Sequence, residues 1–359
     1  MSFPFSRLSA KALVLSCVFV ASAYAADEAF NSASTEAYQD PGFNLNRDFS
    51  STGQVDFVDP FSGALKIAVQ DLYLPGNGGL DISVLRSYQS VNNLNGPYST
   101  GHINRTPFGT GWDIHFGRIW VPAARGYKYI NPSDSVWDCK KAHVTTAFNP
   151  ILELPDGSQE LLANSDGSDY AFISKGRWIG HCLPRTKDVN LDGGLVVLSP
   201  DGTKYVYDLL GSPSPDKAYM AYLVTRIEDP QGNYLELSYT AHPTNASARY
   251  TLLKSIRSSD GRKVVFNYDD VSNDNIGLRP RLSSVSGEGK VVRYDYIDAT
   301  WFAGTNELPH YLDKVTYPDG TYWSYKYIHR KDQLNFVPGR FSLLSMKSPS
   351  GLETKYSYE

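Results

Sequence analysis

A glycine turn returns about every 30 residues through the last part of this chain, and that period constrains the fold more than any single residue. The turns are Pro200-Asp201-Gly202, Pro230-Gln231-Gly232, Ser259-Asp260-Gly261, Gly287-Glu288-Gly289, Pro318-Asp319-Gly320 and Pro349-Ser350-Gly351. Neighbouring turn glycines are 30, 29, 28, 31 and 31 residues apart. A fixed period of this length marks a repeat architecture, in which each unit stacks on its neighbours. Gly202, Gly232, Gly261, Gly289, Gly320 and Gly351 are structural candidates, because each supplies the positive φ of a tight turn.

The unit reads as a β-hairpin. Five of the six end in an aromatic or apolar residue, a spacer and a tyrosine: Leu237 and Tyr239, Phe266 and Tyr268, Tyr294 and Tyr296, Tyr325 and Tyr327, Tyr356 and Tyr358. Each second residue follows its turn glycine by 7. A spacing of two puts both side chains on one face of a strand. The incoming strands alternate in the same way, as in Leu223, Thr225 and Ile227. The Gly202 unit is irregular, with Tyr205 and Tyr207 closer to the turn. A propeller blade needs four strands and about 40 residues, so a strip of hairpins is the expected form.

Composition supports an all-β chain: 25 tyrosines, 29 glycines and 21 prolines, with no helix-length amphipathic run after residue 25. The net charge of −4 and the lack of a Lys/Arg stripe give no footprint for nucleic acid.

Residues 1–25 read as a signal peptide: Arg7 and Lys11, the apolar run Ala12 to Val20, then Ala23-Tyr24-Ala25. Cleavage after Ala25 removes two positive charges and takes the net charge from −4 to −6. Val14-Leu15-Ser16-Cys17 is a poor lipoprotein box, and no other stretch is long and apolar enough to span a bilayer. The expected destination is the periplasm, the cell surface or the medium. Residues 26–54 read as a flexible leader, 55–194 as an irregular β-rich entry region and 195–359 as the repeats. Cys139 and Cys182 remain after cleavage, and an even pair in an exported protein suggests a disulfide.

Within the entry region two alternating strands flank a Pro-Gly loop, and Phe108-Gly109-Thr110-Gly111-Trp112 follows. Trp112 is expected to plug the end of a β-core. Asp59-Pro60-Phe61-Ser62-Gly63, Leu74-Pro75-Gly76, Arg86-Ser87-Tyr88 and Phe108 to Trp112, together with the tyrosine repeats, resemble the RHS or YD-repeat family of bacterial exported proteins and the related toxin-complex shell proteins. The resemblance covers about residues 55–119 and 195–359. It implies a β-sheet strip, curved or spiralling as part of a hollow shell, that surrounds or presents a C-terminal toxin or effector. The chain departs from the family pattern. Tyr268-Asp269 is followed by Asp270-Val271 instead of Gly-Arg-Leu, and neither the family's core motif nor a toxin domain falls within it. It therefore reads as a piece of a longer protein or as a short relative, with an open sheet.

Chemical motifs are sparse. Asp188, Asn190 and Asp192, followed by Gly193, match the start of a calcium loop, but Ser199 stands where the closing acid belongs and Asp201 lies near. The competing reading is a polar turn. Cys139, His143, His181 and Cys182 have spacings unlike a zinc finger. Glu228 and Asp229 flank a turn and read as turn polarity rather than as a glycosidase pair. Nucleophile, phosphate-loop and His-Glu-x-x-His motifs are absent. No catalytic residue and no cofactor are expected. The readings carried forward are a non-enzymatic scaffold with a protein partner, and a secreted or surface module whose strands bind glycans or proteins.

Overall fold

The computed structural model describes residues 56–58, 64–90, 106–120, 149–165, 171–183, 194–211, 221–243, 249–273, 277–298, 310–328 and 342–358. All fall within one compact unit, Phe49–Glu359. The described residues contain strands and a single 3-10 turn, Asn77–Gly79, and no α-helix. Every strand pairing is antiparallel, as hairpin-rich sequence predicts.

The entry sheet has the order β1 (Asp56–Val58), β2 (Leu65–Leu74), β3 (Ile82–Gln89), β4 (Trp112–Asp113). Six short strands follow: β5 (Arg118–Trp120), β6 (Ile151–Glu153), β7 (Gln159–Leu161), β8 (Ala163–Asn164), β9 (Phe172–Ile173) and β10 (Ile179–Cys182). The repeats then give β11 (Leu195–Leu198) and β12 (Lys204–Gly211) about Gly202, and β13 (Ala221–Glu228) and β14 (Tyr234–Pro243) about Gly232. They continue with β15 (Arg249–Ser258) and β16 (Lys263–Asn273) about Gly261, and β17 (Gly277–Gly287) and β18 (Lys290–Asp298) about Gly289. The last are β19 (His310–Thr316) and β20 (Tyr322–Tyr327) about Gly320, and β21 (Leu343–Lys347) and β22 (Glu353–Lys355) about Gly351.

The six turn glycines have φ between +76° and +96°, a region that a side chain disfavours. At Gly289 the preceding Glu288 also has φ 51°, so both central residues of a two-residue turn are left-handed. The other hairpins use longer turns, closed by bonds such as Gly261 N–H to Ser258 O at 3.1 Å.

Strict period two does not hold in the incoming strands. Five of the six, all but β11, carry one extra residue opposite the preceding strand. Tyr207 pairs with Val224 after Val206 has paired with Arg226, which leaves Thr225 over. Lys254, Ser283, Asp313 and Leu344 are left over in the same way opposite the later units. This bulge turns two residues three apart into the core: Val224 and Ile227, Leu253 and Ile256, Leu282 and Val285, Leu312 and Val315, Leu343 and Met346. The expected grouping of Leu223, Thr225 and Ile227 on one face is therefore corrected, because Thr225 is the bulged residue.

The bulge also explains the repeat tyrosine. Within each hairpin the backbone ladder is short: β15 and β16 pair only over Ser255–Arg257 and Lys263–Val265 before they part. The tyrosine hydroxyl then donates to the carbonyl of the residue before the bulge. Tyr239 bonds Val224 O at 2.8 Å, Tyr268 bonds Leu253 O at 3.0 Å, Tyr327 bonds Leu312 O at 2.7 Å and Tyr358 bonds Leu343 O at 2.9 Å. A buried carbonyl that the ladder abandons is thus satisfied in these four units.

The strip does not turn back on itself: among the described residues β22 pairs with β21 alone. A side loop of strands branches from it. The edge of β13 is shared, its first part pairing with β5 and its last part with β14. From β5 the pairings run to β6 and β7, and from β8 through β9, β10, β11 and β12 back to β13. β7 and β8 are one extended stretch, with Leu162 N–H turned to Pro150 O and Ser165 N–H turned the other way to Ala171 O. The sheet is therefore continuous across residue 194, where sequence divides entry region from repeats. Phe172, Trp178, Leu152, Leu162 and Tyr207 are fully buried in this part.

Candidate functional site: a buried polar seam

The strongest concentration of chemistry lies where the entry sheet meets the repeats. β2 carries a bulge of its own: Gln70 pairs with Leu85 and Leu72 with Val84, so Asp71 is the extra residue. Bulges re-aim side chains, and Asp71 is buried. Arg86, on β3, is 0% exposed and meets it. Its Nε donates to Asp71 Oδ2 at 2.9 Å and an Nη to Oδ1 at 3.0 Å, while its other Nη donates to the Tyr325 hydroxyl at 2.7 Å. Asp71 also accepts from Tyr294 at 2.8 Å and Tyr317 at 3.3 Å. The guanidinium lies 4.6 Å from the Trp112 ring and 5.2 Å from the Tyr325 ring. A buried charge pair is tolerated when its donors and acceptors are satisfied in this way.

The electrostatics are those of a fastener. Burial opposes the charge on Arg86, but Asp71 and the neighbouring phenols hold its proton more firmly than usual. Burial pushes the Tyr325 phenol up to about 12 and raises Tyr294 well above its ordinary value, with Asp71 adding to the latter. These phenols stay neutral donors at physiological pH, and none is poised to exchange a proton.

Trp112 is fully buried, 5.0 Å from the Tyr88 ring and 4.8 Å from the Tyr325 ring, and its Nε1 donates to the Tyr327 hydroxyl at 2.8 Å. The glycines before it allow close approach. Gly109 has φ +94° and a Cβ there would stand 2.8 Å from Leu312 N; a Cβ on Gly111 would stand 2.5 Å from the Tyr88 ring. Between them Thr110 bonds His310 O through both N–H and hydroxyl, at 2.9 and 3.0 Å.

Further fastenings line the seam. Arg262, beside the Gly261 turn, donates to Leu74 O at 2.7 Å and Leu80 O at 3.0 Å. Tyr88 accepts the Leu343 N–H at 2.8 Å, and Tyr356 bonds Asp56 at 3.0 Å. In the β17–β18 hairpin the tyrosine clasp differs. Pro107 O accepts both Leu282 N–H at 2.9 Å and the Tyr296 hydroxyl at 3.4 Å, standing where the Leu282 carbonyl would otherwise serve.

A second charged cluster sits at the start of β5. Arg118 donates to Glu153 at 2.8 Å and to Asp113 at 2.6 Å, and Trp120 Nε1 also bonds Glu153. Burial alone would raise the Glu153 carboxyl, but Arg118 and His115 hold it down at about 2.

The residues singled out from sequence fare differently. Asp188, Asn190, Asp192 and Cys139 lie outside the described residues, and so does the whole leader. Cys182 ends β10, half-buried, and His181 beside it points to the opposite face of the strand. The Cys139–Cys182 bridge remains an expectation. Asp201 bonds Ser199 and Thr203 N–H within its own turn. Asp229 accepts Gln231 and Asn233 N–H at 2.9 and 2.8 Å, and Glu228 pairs with Arg226 at 2.9 Å. Both therefore serve turn and strand. Among the described residues no group of three His, Cys, Asp or Glu side chains is arranged to hold a metal ion, and no helix is long and apolar enough to cross a membrane. Sequence reading missed Asp71 and the role of Arg86. The available signal was an arginine in phase with inward Ile82, Val84 and Tyr88, and an aspartate in phase with Ile67 and Val69.

No family model matches the chain, and no curated protein matches it. Solved structures give distant likenesses. One of TcdB2-TccC3-TEV is 13% identical with a TM-score of 0.44, over 80% of this chain and 17% of that one. The Photorhabdus luminescens Tc holotoxin pore is 13% identical, TM-score 0.43, over 76% of this chain and 16% of that one. The N-terminal domain of the effector protein SpvB from Salmonella typhimurium strain LT2 is 13% identical, TM-score 0.37, over 80% of this chain and 100% of that one. This chain spans about a sixth of the length of the toxin-complex chains.

Proposed function

We propose that this chain is a non-enzymatic scaffold segment of an exported, RHS-type toxin system, which surrounds or presents a toxin or effector segment. One observation carries the reading. The chain's distinctive side chains are consumed by its own assembly: repeat tyrosines clasp their hairpins, Tyr294, Tyr317 and Tyr325 bind the entry sheet, and Trp112 of that sheet binds Tyr327. Such a body offers a rigid surface and leaves the harmful chemistry to a protein partner. Export follows from the signal-like residues 1–25, and a mature N-terminus at Ala26 in periplasmic material is the matching observation.

Tyr322 and Tyr73 are 45% and 42% exposed, which keeps a second reading, a glycan- or protein-binding module. The test is expression of residues 26–359 in the periplasm and in the cytosol of a susceptible bacterium, with assays for glycan and nucleic-acid cleavage and a glycan array. Normal growth, no turnover and no glycan binding are expected. Growth arrest or turnover by the purified chain overturns the scaffold reading. Glycan binding that Tyr322→Ala abolishes establishes the second.

A further inference from the structure

The connection between the entry sheet and β5 contains a histidine held in one protonation state by its geometry. His115 Nδ1 accepts the Gly117 N–H at 3.1 Å. An accepting Nδ1 carries no proton, so the neutral ring holds its proton on Nε2. That atom is buried, makes no hydrogen bond, and stands 3.8 Å from Glu153 Oε1. Gly117 has little room to adjust. Its φ is +111°, and a Cβ on it would stand 2.7 Å from the Tyr207 hydroxyl.

We infer that His115 makes this connection an acid-sensitive fastening, in which protonation of the imidazole opens the turn that joins β4 to β5. An imidazolium donates from both nitrogens. Its Nδ1–H would then face the Gly117 N–H, two donors where one bond now stands. The surrounding charges are Arg118 on β5, Asp113 on β4, Glu153 on β6 and Asp156 in the turn after it. Arg118 repels the new charge; Glu153, Asp113 and Asp156 favour it, but the first two are already engaged by Arg118. The Tyr207 phenol, also against Gly117, stays neutral because burial raises it. Burial first, and Arg118 second, lower the histidine below its ordinary value.

The sign follows from linkage. A base depressed in the folded state leaves stability whole above the unfolded value of about 6.5 and withdraws it as pH falls below that. The Glu153 carboxylate begins to count only below its ordinary value near 4.5, so the two windows are separate. What loosens is a junction: Phe116 lies edge-on to Phe266 at 6.4 Å, Trp112 anchors one end, and β5 pairs with β6 and β13 at the other.

The experiment is hydrogen exchange on the whole mature chain at pH 7.5, 6.5, 5.8 and 5.0, corrected for intrinsic rates, beside His115→Asn. Asparagine keeps an acceptor near the Nδ1 position and does not titrate. Expected in the wild type is a loss of protection over residues 113–120, approaching tenfold per pH unit below about 6.5. Residues 343–355 serve as the unchanged control, and the loss is absent in the variant. An equal loss in His115→Asn, or none in the wild type, overturns the inference. If the variant is loosened at every pH, imidazole NMR of the wild type decides instead: a His115 midpoint at or above about 6.5 refutes it and a lower one supports it.

Discussion

Replacing Arg86 with methionine tests the seam directly. The side chain makes two bonds to Asp71 and one to Tyr325, all buried. Hydrogen bonds to charged groups contribute roughly 1.5–3 kcal/mol each, so the gross loss is about 4–9 kcal/mol. Two effects reduce it. Methionine packs against Trp112 and Tyr325, and Asp71 keeps its bonds from Tyr294 and Tyr317. Removing one partner of a buried pair costs about 3–5 kcal/mol, and that is the expected net loss. Urea unfolding followed by far-UV circular dichroism and tryptophan fluorescence, with an unchanged m-value, reports it. Adding Asp71→Asn removes the stranded charge and leaves an oxygen for the tyrosines. The double variant should be more stable than Arg86→Met alone by about 2 kcal/mol, because it no longer buries an unpaired carboxylate. A single variant costing under about 1 kcal/mol, or a double variant no more stable than the single, would refute the argument.

Three further predictions concern separate features. Tyr268→Phe strands the Leu253 carbonyl and should cost about 1–3 kcal/mol, whereas Tyr296→Phe, whose bond is long and whose acceptor keeps the Leu282 N–H, should cost less by urea melts; equal costs would count against the clasp. Glu153 is depressed in the folded state, so its contribution is present above pH 4.5 and is lost as pH falls towards 2; the span corresponds to about 3 kcal/mol, and Glu153→Gln should flatten acid unfolding in that window. Trp112→Ala should cost about 3–5 kcal/mol, with an unchanged melting temperature as the refuting result.

The hairpin strip was legible because its turns need positive φ, and the glycines that supply it recur with the unit. The bulges were not. One extra residue, such as Lys254 or Ser283, breaks period two without leaving a fixed residue type at the break. The side loop of strands was beyond reading for another reason. β8 and β9 are two residues long, and the pairing that completes the loop joins β5 to β13 about a hundred positions along. Trp112 could be marked as a core residue from its size and its glycines. Its partners could not, because Tyr325 and Tyr327 differ from other repeat tyrosines only in what lies over them.

The bond from Arg86 to Tyr325 spans 239 positions of chain. During synthesis, β2 and β3 emerge long before β18, β20 and β21 exist to receive them. The clasp of the β15–β16 hairpin is local, but Leu282 N–H and the Tyr296 hydroxyl of the β17–β18 hairpin need the carbonyl of Pro107 to be brought to them. Apolar strands without a covering layer invite association with other chains. For this protein the vulnerable moment is thus one of timing: an interval, set by the rate at which the last hairpins arrive, in which the first-made sheet stands without its lining.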